Sequence, residues 1–305
     1  DQNIPISMMP FPMVNHCEFL SAMADTYLNA LEQLRARTRL LFGGDGVCLP
    51  LCMLPGGREV PVAGYRYTLC GSAYSGSVLA SAWRYSRDES FLRAKIYPLL
   101  KEFIRCYLSI MHKGEDGRYH LDWSVPPEIF TMTRDDVCTL SLLRPCLETA
   151  VEASQLLHAD EAECHVWEDV LAHYPSFARH AEGAWWCGPD IPMGHSMYGG
   201  HLLYPFFPSE ADLDAETAAK TLEYCGNYAL ERSFADRGGA FHYVYEWAAF
   251  NIAAARLRLE GPSAWKHLER FLEHFGKPNG LFTHNSILLM DPEEADRNVH
   301  DSPSV

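Results

Sequence analysis

Apolar residues recur every three or four positions along most of the chain, as one face of an α-helix requires. This spacing predicts about eight helices separated by polar or Gly- and Pro-containing segments. Asp88, Asp135 and Ser263 stand where helix-capping side chains are expected. Strand-like pieces are limited to Val47–Leu51 and Arg118–Leu121. The predicted helices cover Leu20–Leu34, Gly71–Tyr85, Ile96–Ile110, Leu140–Val151, Val166–Val170, Ala218–Cys225, Val244–Leu257 and Trp265–Phe275.

The predicted connections alternate between short and long. In a ring of helical hairpins, the short loops gather at one rim and the long loops at the other, where they build the site. No linker, low-complexity tract or close repeat interrupts the pattern, so one all-α domain over residues 1–305 is expected. Most aromatics, prolines and histidines outside the helices fall in the long connections, which are Gly43–Tyr67, His112–Thr133, Tyr174–Leu213 and Gly276–Val305.

Composition narrows the function classes. The chain has 305 residues, of which 48% are apolar and 21% charged, as in an ordinary folded protein. Its net charge of −15 argues against a nucleic-acid partner, because the chain would repel the phosphate backbone. No apolar run reaches the roughly 18 residues of a membrane span. The ten cysteines form no CxxC pair, and several fall on apolar helix faces, which predicts free core thiols.

The loop over residues 119–133 carries the clearest candidate chemistry. A Pro-Pro-Glu turn follows Trp123 and is expected to place Glu128 among aromatic and aliphatic side chains. These side chains would shield the Glu128 carboxyl from water, and this desolvation would raise its pKa. A carboxylic acid that stays protonated near neutral pH is what a glycosidic leaving oxygen needs from a general acid. On spacing alone, a solvated loop carboxylate or a helix N-terminal residue is the more frequent role for such a glutamate.

A second loop, Trp185–Pro208, is dense in aromatics and contains His195 and His201. Aromatic faces stack on sugar C–H surfaces and imidazoles bond ring hydroxyls, so the loop suits a carbohydrate cleft. For any single aromatic, a buried loop plug is the more frequent explanation, and the histidines would then be ordinary core groups. A zinc site that adds Cys187 to the two histidines matches no strong ligand spacing. His284, in the final long connection, is a further polar group at the same rim.

Several segments resemble the catalytic (α/α)6 barrel of glycoside hydrolase family 95, known for α-L-fucosidases and α-L-galactosidases. The segment DWSVPPE resembles the family's Ser-Pro-Glu, which ends in its general acid and corresponds to Glu128. The opening DQNIPISMMPFPMVNHCE resembles a stretch with two asparagines one residue apart, at the positions of Asp1 and Asn3. HSMYGGHLLYP and GLFTHNS are similar to the family's His-rich and Thr-His loops. The similarity extends through almost the whole length.

The resemblance implies an inverting hydrolase. Glu128 would protonate the leaving oxygen, while a water on the opposite face would be activated by the paired amides and an aspartate. Asp1 departs from the family's asparagine, so either this carboxylate takes a larger share of the base role or the substrate differs. The family's aspartate lies in a glycine-rich segment that would fall beyond Val305. The expectation is therefore a toroid incomplete at both ends, without an N-terminal β-rich domain and the last barrel helices.

The leading hypothesis is a glycoside hydrolase acting on an α-L-fucoside or related bond in plant or microbial glycans. The expected partner is an oligosaccharide or polysaccharide, with no nucleic acid, membrane, metal or organic cofactor. A non-catalytic carbohydrate-binding barrel, or a sugar lyase or epimerase on the same toroid, stays open as an alternative. The resemblance favours an exported protein, whereas the free thiols favour the cytoplasm. The expected catalytic residues are Glu128, Asp1 and Asn3, and the expected sugar-binding residues are Trp123, Trp185, His195, His201 and His284.

Overall fold

A computed structural model describes most of the chain. The described residues are 3–60, 62, 65–127, 131–191, 202–206, 209, 214–225, 244–257 and 262–282. They form two compact units, one of residues Asp1–Ala178 with Cys187–Ile191 and the other of Arg179–Trp186 with Pro192–Val305.

Helices dominate both units. In the first unit they are α1 (Asn3–Met8), α2 (Pro10–Met13), α3 (Glu18–Leu28), α4 (Leu31–Phe42), α5 (Cys70–Ser86), α6 (Glu89–Phe91), α7 (Tyr97–Ile110), α8 (Val137–Leu157) and α9 (Glu161–Ala172). A π-helical turn, Leu92–Ile96, joins α6 to α7. Two antiparallel hairpins pair β1 (Met53–Leu54) with β2 (Arg58–Glu59) and β3 (Met111–Lys113) with β4 (Tyr119–Leu121). The second unit contains α10 (Ala215–Tyr224), α11 (Val244–Arg256) and α12 (Pro262–Phe275).

Helix α5 forms the centre of the first unit. It is buried around nearly its whole circumference and packs most extensively on α8. Small residues allow this close approach: a Cβ added at Gly76 would lie 2.6 Å from Cys146 Sγ on α8. A helix that is buried on all sides must lie inside the fold, whereas α4 and α9 each bury only one stripe.

The predicted alternation of loop lengths is confirmed in the first unit. Short turns join α3 to α4, α5 to α6 and α8 to α9, and the last two use left-handed residues: Arg87, His158 and Asp160 have φ of 51°, 50° and 56°. The connections after α4 and α7 are long and each carries one of the two hairpins. The long, irregular connections after α4 and α7 are therefore among those in which the sequence predicted the site.

Two sequence predictions about element boundaries were wrong. Leu20–Leu34 is two helices, α3 and α4, because the chain turns at residues 29 and 30 where the β1–β2 turn approaches. A Cβ at Gly57 would lie 2.8 Å from Ala30 Cβ. The helix start predicted at Asp135 is one residue later: Asp136 caps α8 and accepts the Thr139 N–H at 2.8 Å.

The strand predicted at Val47–Leu51 is an extended segment with side-chain rather than strand partners. Cys48 N donates to Thr38 Oγ1 and Leu49 N donates to Ser72 Oγ, both at 2.8 Å. Hydroxyls from α4 and α5 thus satisfy backbone groups that a neighbouring strand would otherwise bond. The β1 strand lies a few residues further on.

The second unit has its own aromatic core. Trp247 on α11 is fully buried, with its ring centroid 5.5 Å from that of His274 and 5.9 Å from that of Phe275, both on α12. The ten cysteines, all described, are free, and only Cys17 and Cys52 are not buried, which confirms the prediction of free core thiols. Across the described parts of both units, every helix is too short or too polar to cross a bilayer.

Candidate active site

A pair of backbone hydrogen bonds closes the segment that contains position 128. Ser124 N donates to Thr133 O at 2.7 Å, and Thr133 N donates to Ser124 O at 2.9 Å. The three residues after Ser124 are buried, and two of them are prolines, whose rings fix φ. Glu128 itself lies outside the described residues, which resume at 131. The described residues therefore form a buried, restrained approach to the predicted general acid.

Trp123 lies directly before this closure and is partly exposed. Its ring centroid is 5.6 Å from that of Phe42, at the end of α4, and 6.4 Å from that of Tyr67 in an edge-to-face arrangement. Tyr67 remains 45% exposed. The long connections after α4 and after α7 thus meet at Trp123, in an aromatic cluster defined by Phe42, Tyr67 and Trp123. Half-exposed rings of this kind offer apolar faces to a sugar.

Tyr67 is a site candidate that sequence reasoning missed. It lies at the end of a long connection, three residues before α5, which was the available signal. This signal alone does not single out Tyr67, and the folded structure is needed to show that its ring lies near Trp123.

Outside the Ser124–Thr133 pair, Asp135 bonds back to strand β4. Leu121 N donates to Asp135 Oδ1 at 2.8 Å, and Asp135 N donates to Leu121 O at 3.1 Å. His120 Nδ1 lies 2.6 Å from Asp135 Oδ2, and its Nε2 lies 3.1 Å from Asp116 Oδ1. Partial burial opposes the imidazolium, but the hydrogen bonds and charges of the two aspartates outweigh it and raise the pKa of His120.

Among the described carboxyls near this segment, Asp136 is the most deeply buried. It is fully inaccessible, and burial raises the pKa of its carboxyl. Oδ1 is used as the cap of α8, where it accepts the Thr139 N–H. Since no solvent reaches the Asp136 side chain, we assign it a structural role rather than proton transfer to a substrate.

Trp185 is in the second unit and is 5% exposed. Its ring centroid is 5.3 Å from that of Phe206, and its backbone N donates to Thr221 Oγ1 at 2.9 Å. The neighbouring Trp186 packs edge-to-face on Tyr224 at 6.2 Å. The described contacts of Trp185 are those of a core residue, with little surface left for a sugar.

The remaining predicted site residues are not brought together by the described structure. Asn3 has its backbone in α1, but its side chain is not described. The zinc alternative also depends on two of these positions; among the described residues, no group of three His, Cys, Asp or Glu side chains is arranged to hold a metal. The site residues outside the described part are Asp1, Glu128, His195, His201 and His284.

Residues 2–294 match the model of the glycosyl hydrolase family 95 catalytic domain. The chain belongs to this family. The match runs through both compact units and includes Asn3, Glu128 and the three histidines. It confirms the resemblance inferred from the Pro-Pro-Glu, His-rich and Thr-His segments.

A solved structure shares the fold of this family 95 domain. The chain is similar to a structure described as "Putative kojibiose phosphorylase from human microbiome", with a TM-score of 0.57 and 13% sequence identity. The similarity covers 80% of this chain and 37% of the other, so the chain spans little more than a third of that protein's length. The fold class is all-α, of the (α/α)6 toroid type. No curated protein matches the chain in sequence.

Proposed function

We propose that this domain hydrolyses a glycosidic bond, with Glu128 as the general acid. Membership in a family of glycosyl hydrolase catalytic domains over residues 2–294 is the observation that carries the proposal. The local structure supports it, because the chain enters position 128 through buried residues whose ends are tied at Ser124 and Thr133. Such restraint is what a proton donor needs in order to meet the leaving oxygen in a fixed geometry.

The reaction we propose is a single displacement with inversion. Glu128 donates its proton to the glycosidic oxygen as the bond from that oxygen to the anomeric carbon breaks. A water attacks the anomeric carbon from the opposite face and gives up a proton to a base. Asn3 and Asp1 orient and activate this water, together with a second carboxylate. Inversion requires the acid and the base to be about 6.5–9.5 Å apart, to admit the water between them.

Sugar recognition is proposed for the aromatic cluster of Phe42, Tyr67 and Trp123. Trp123 and Tyr67 present exposed ring surface next to the segment that contains Glu128. The polar contacts to the sugar hydroxyls are proposed for His195, His201 and His284. Trp185 belongs to the same predicted set, and its 5% exposure leaves it a supporting role at most. The proposed substrate is an α-L-fucoside or a related glycoside of plant or microbial glycans.

One sequence feature favours a second candidate, a non-catalytic glycan-binding barrel. Asp1 occupies a place where the family carries an asparagine, so the water-activating pair differs. A binding barrel would keep the aromatic cluster and its affinity for glycans, but it would release no product.

Proton NMR of the reaction of the natural full-length protein tests the proposal. An α-L-fucosyl oligosaccharide is incubated in phosphate-free buffer and, separately, with inorganic phosphate. Hydrolysis with inversion gives free β-fucose as the first-formed anomer in both buffers, before mutarotation. A sugar phosphate formed only with phosphate would contradict hydrolysis and indicate phosphorolysis. Glycan binding without product across α-L-fucosides, α-L-galactosides and other aryl glycosides would support the binding barrel.

A further inference from the structure

Asp135 has a left-handed backbone conformation, which few non-glycine residues other than asparagine and aspartate adopt. Its φ is 45°, in the left-handed region that non-glycine residues seldom adopt. Such a residue persists only when its surroundings hold it there. Here both carboxylate oxygens and the backbone N–H are engaged, all three with β4: Oδ1 and the N–H with Leu121, and Oδ2 with His120. The strained residue thus ties the end of the segment back to its beginning.

His120 is itself fixed from its other side. Nε2 lies 3.1 Å from Asp116 Oδ1, an oxygen that also accepts the Arg118 N–H at 3.0 Å. A Cβ at Gly114 would lie 2.9 Å from His120 Cδ2, so the imidazole rests directly on the hairpin turn. The ring of His112 also faces the His120 ring, at a centroid distance of 6.1 Å, and His112 is paired with Asp122. The imidazole therefore lies within hydrogen-bond distance of both the hairpin turn, through Asp116, and Asp135.

Two sets of bonds consequently enclose position 128, one inside the other. The inner set is the Ser124–Thr133 pair, and the outer set joins His120 and Leu121 to Asp135. The inner set consists of backbone bonds alone, whereas the outer set includes the Asp135 carboxylate, partly accessible at 13% of the side chain. The outer set can therefore be changed by substituting one side chain, Asp135, that is not a member of the aromatic cluster.

We propose that Asp135 is a positioning residue for the general acid. Held by His120, it fixes the segment 121–135 at its base and so sets where the Glu128 carboxyl meets the leaving oxygen. This inference rests on the proposed function. The raised pKa of His120 agrees with it, because a more persistent imidazolium gives the Asp135 carboxylate a charged partner.

The test is a leaving-group series. Protonation matters for an alkyl glycoside, whose leaving group is poor, and hardly at all for a 2,4-dinitrophenyl glycoside, which departs unaided. In the natural full-length protein, we expect Asp135→Ala to lower kcat/KM for the alkyl glycoside about 10–100-fold and to change the dinitrophenyl rate by less than about threefold. KM for the alkyl glycoside should stay near the wild-type value. A loss of folded enzyme alone would scale both substrates equally.

Asp135→Asn provides the conservative comparison. Asparagine tolerates the left-handed backbone and keeps an oxygen for the Leu121 N–H, so it should retain more alkyl-glycoside activity than alanine does. It also covers the case in which the alanine variant fails to fold. Asp45→Ala, at an exposed aspartate in another long connection of the same unit, is the matched control and should behave as wild type on both substrates.

Glu128→Gln distinguishes a failure of the proposed function from a failure of the positioning role of Asp135. Under the proposed function it shows the same selective loss, larger in size. If Glu128→Gln is selective and Asp135→Ala is not, the positioning role is wrong and the proposed function stands. If Glu128→Gln leaves the alkyl-glycoside rate unchanged, the proposed function fails and the inference fails with it.

Discussion

Ser124 and Thr133 exchange two backbone hydrogen bonds, at 2.7 and 2.9 Å, and so hold together the chain on either side of position 128. The Thr133 side chain is itself confined. Asp190 N donates to Thr133 Oγ1 at 3.2 Å, and a Cβ at Gly188 would lie only 2.3 Å from the same oxygen. Thr133, at the end of this segment, is thus packed against residues 188–190.

Gly188→Ala should therefore disturb this segment. The added methyl has no room beside the buried Thr133, and overpacking of this kind typically costs about 1–3 kcal/mol of unfolding free energy. Chemical denaturation measures the change. Adding Thr133→Ala, which removes the hydroxyl and one methyl group, should recover part of the loss. A Gly188→Ala protein as stable as wild type would show that the two residues are not in contact.

The contact between α5 and α8 allows a similar test in the core. In an ordinary helix, Gly→Ala stabilises by about 1 kcal/mol. At Gly76 we expect the opposite sign, because the new Cβ would lie 2.6 Å from Cys146 Sγ. The double variant Gly76→Ala, Cys146→Ala removes the sulfur and should be more stable than Gly76→Ala alone. A stabilising Gly76→Ala would contradict the packing described for the two helices.

Asp136 gives a pH-dependent prediction. Burial raises the pKa of its carboxyl in the folded state, so folding favours the protonated form. Its contribution to stability is complete below the unfolded pKa of about 3.9 and is lost as pH rises through the folded pKa. Asp136→Asn keeps a capping oxygen for α8 and cannot ionise. The variant should gain stability relative to wild type as pH rises from 4 to 7, measured by urea denaturation at each pH. A difference that is constant over this range would contradict the raised pKa.

The aromatic cluster predicts a binding effect that leaves the fold intact. A pair of aromatic rings is worth about 0.5–1.5 kcal/mol, and we expect a loss of similar size, about two- to tenfold in affinity, when a ring that stacks on a sugar is removed. We expect Tyr67→Ala to weaken glycan binding by that amount, measured by calorimetry in the Glu128→Gln background to prevent turnover. Tyr85→Ala is the matched control, because Tyr85 is 52% exposed near the opposite end of α5. Equal affinities in the two variants would remove Tyr67 from the proposed subsite.

Periodicity predicted the one-faced helices, such as α4 and α9, because each buries a stripe that the sequence itself displays. The central helix α5 is predicted from its small residues, and the confirmed alternation of loops follows from where the stripes stop. The break in Leu20–Leu34 was not predictable from periodicity, since the apolar spacing continues through residues 29 and 30. The shift of the cap from Asp135 to Asp136 was not predictable either, because the Asp135 carboxylate is bonded to β4, which is distant in the sequence.

The candidate site was predictable in kind more than in detail. The Pro-Pro-Glu turn and Trp123 are local signals that can be read directly from the sequence. Tyr67 and Asp135 contact residues 56 and 14 positions away in the sequence, Trp123 and Leu121, and no local pattern predicts such pairs. Trp185 shows a limit of composition as a signal, because the aromatic-rich loop that predicted a sugar cleft contains a ring that is 5% exposed.

The most direct test of the account is the rate of Glu128→Gln on an unactivated α-L-fucoside. The amide cannot donate the proton, so kcat/KM should fall by about 10²–10⁴, the usual contribution of general acid catalysis. Glu115→Gln, at an exposed glutamate in the β3–β4 turn, should retain the wild-type rate, and both variants should unfold at the wild-type temperature. Hydrolysis by Glu128→Gln at the wild-type rate would contradict the assignment of Glu128 as the proton donor.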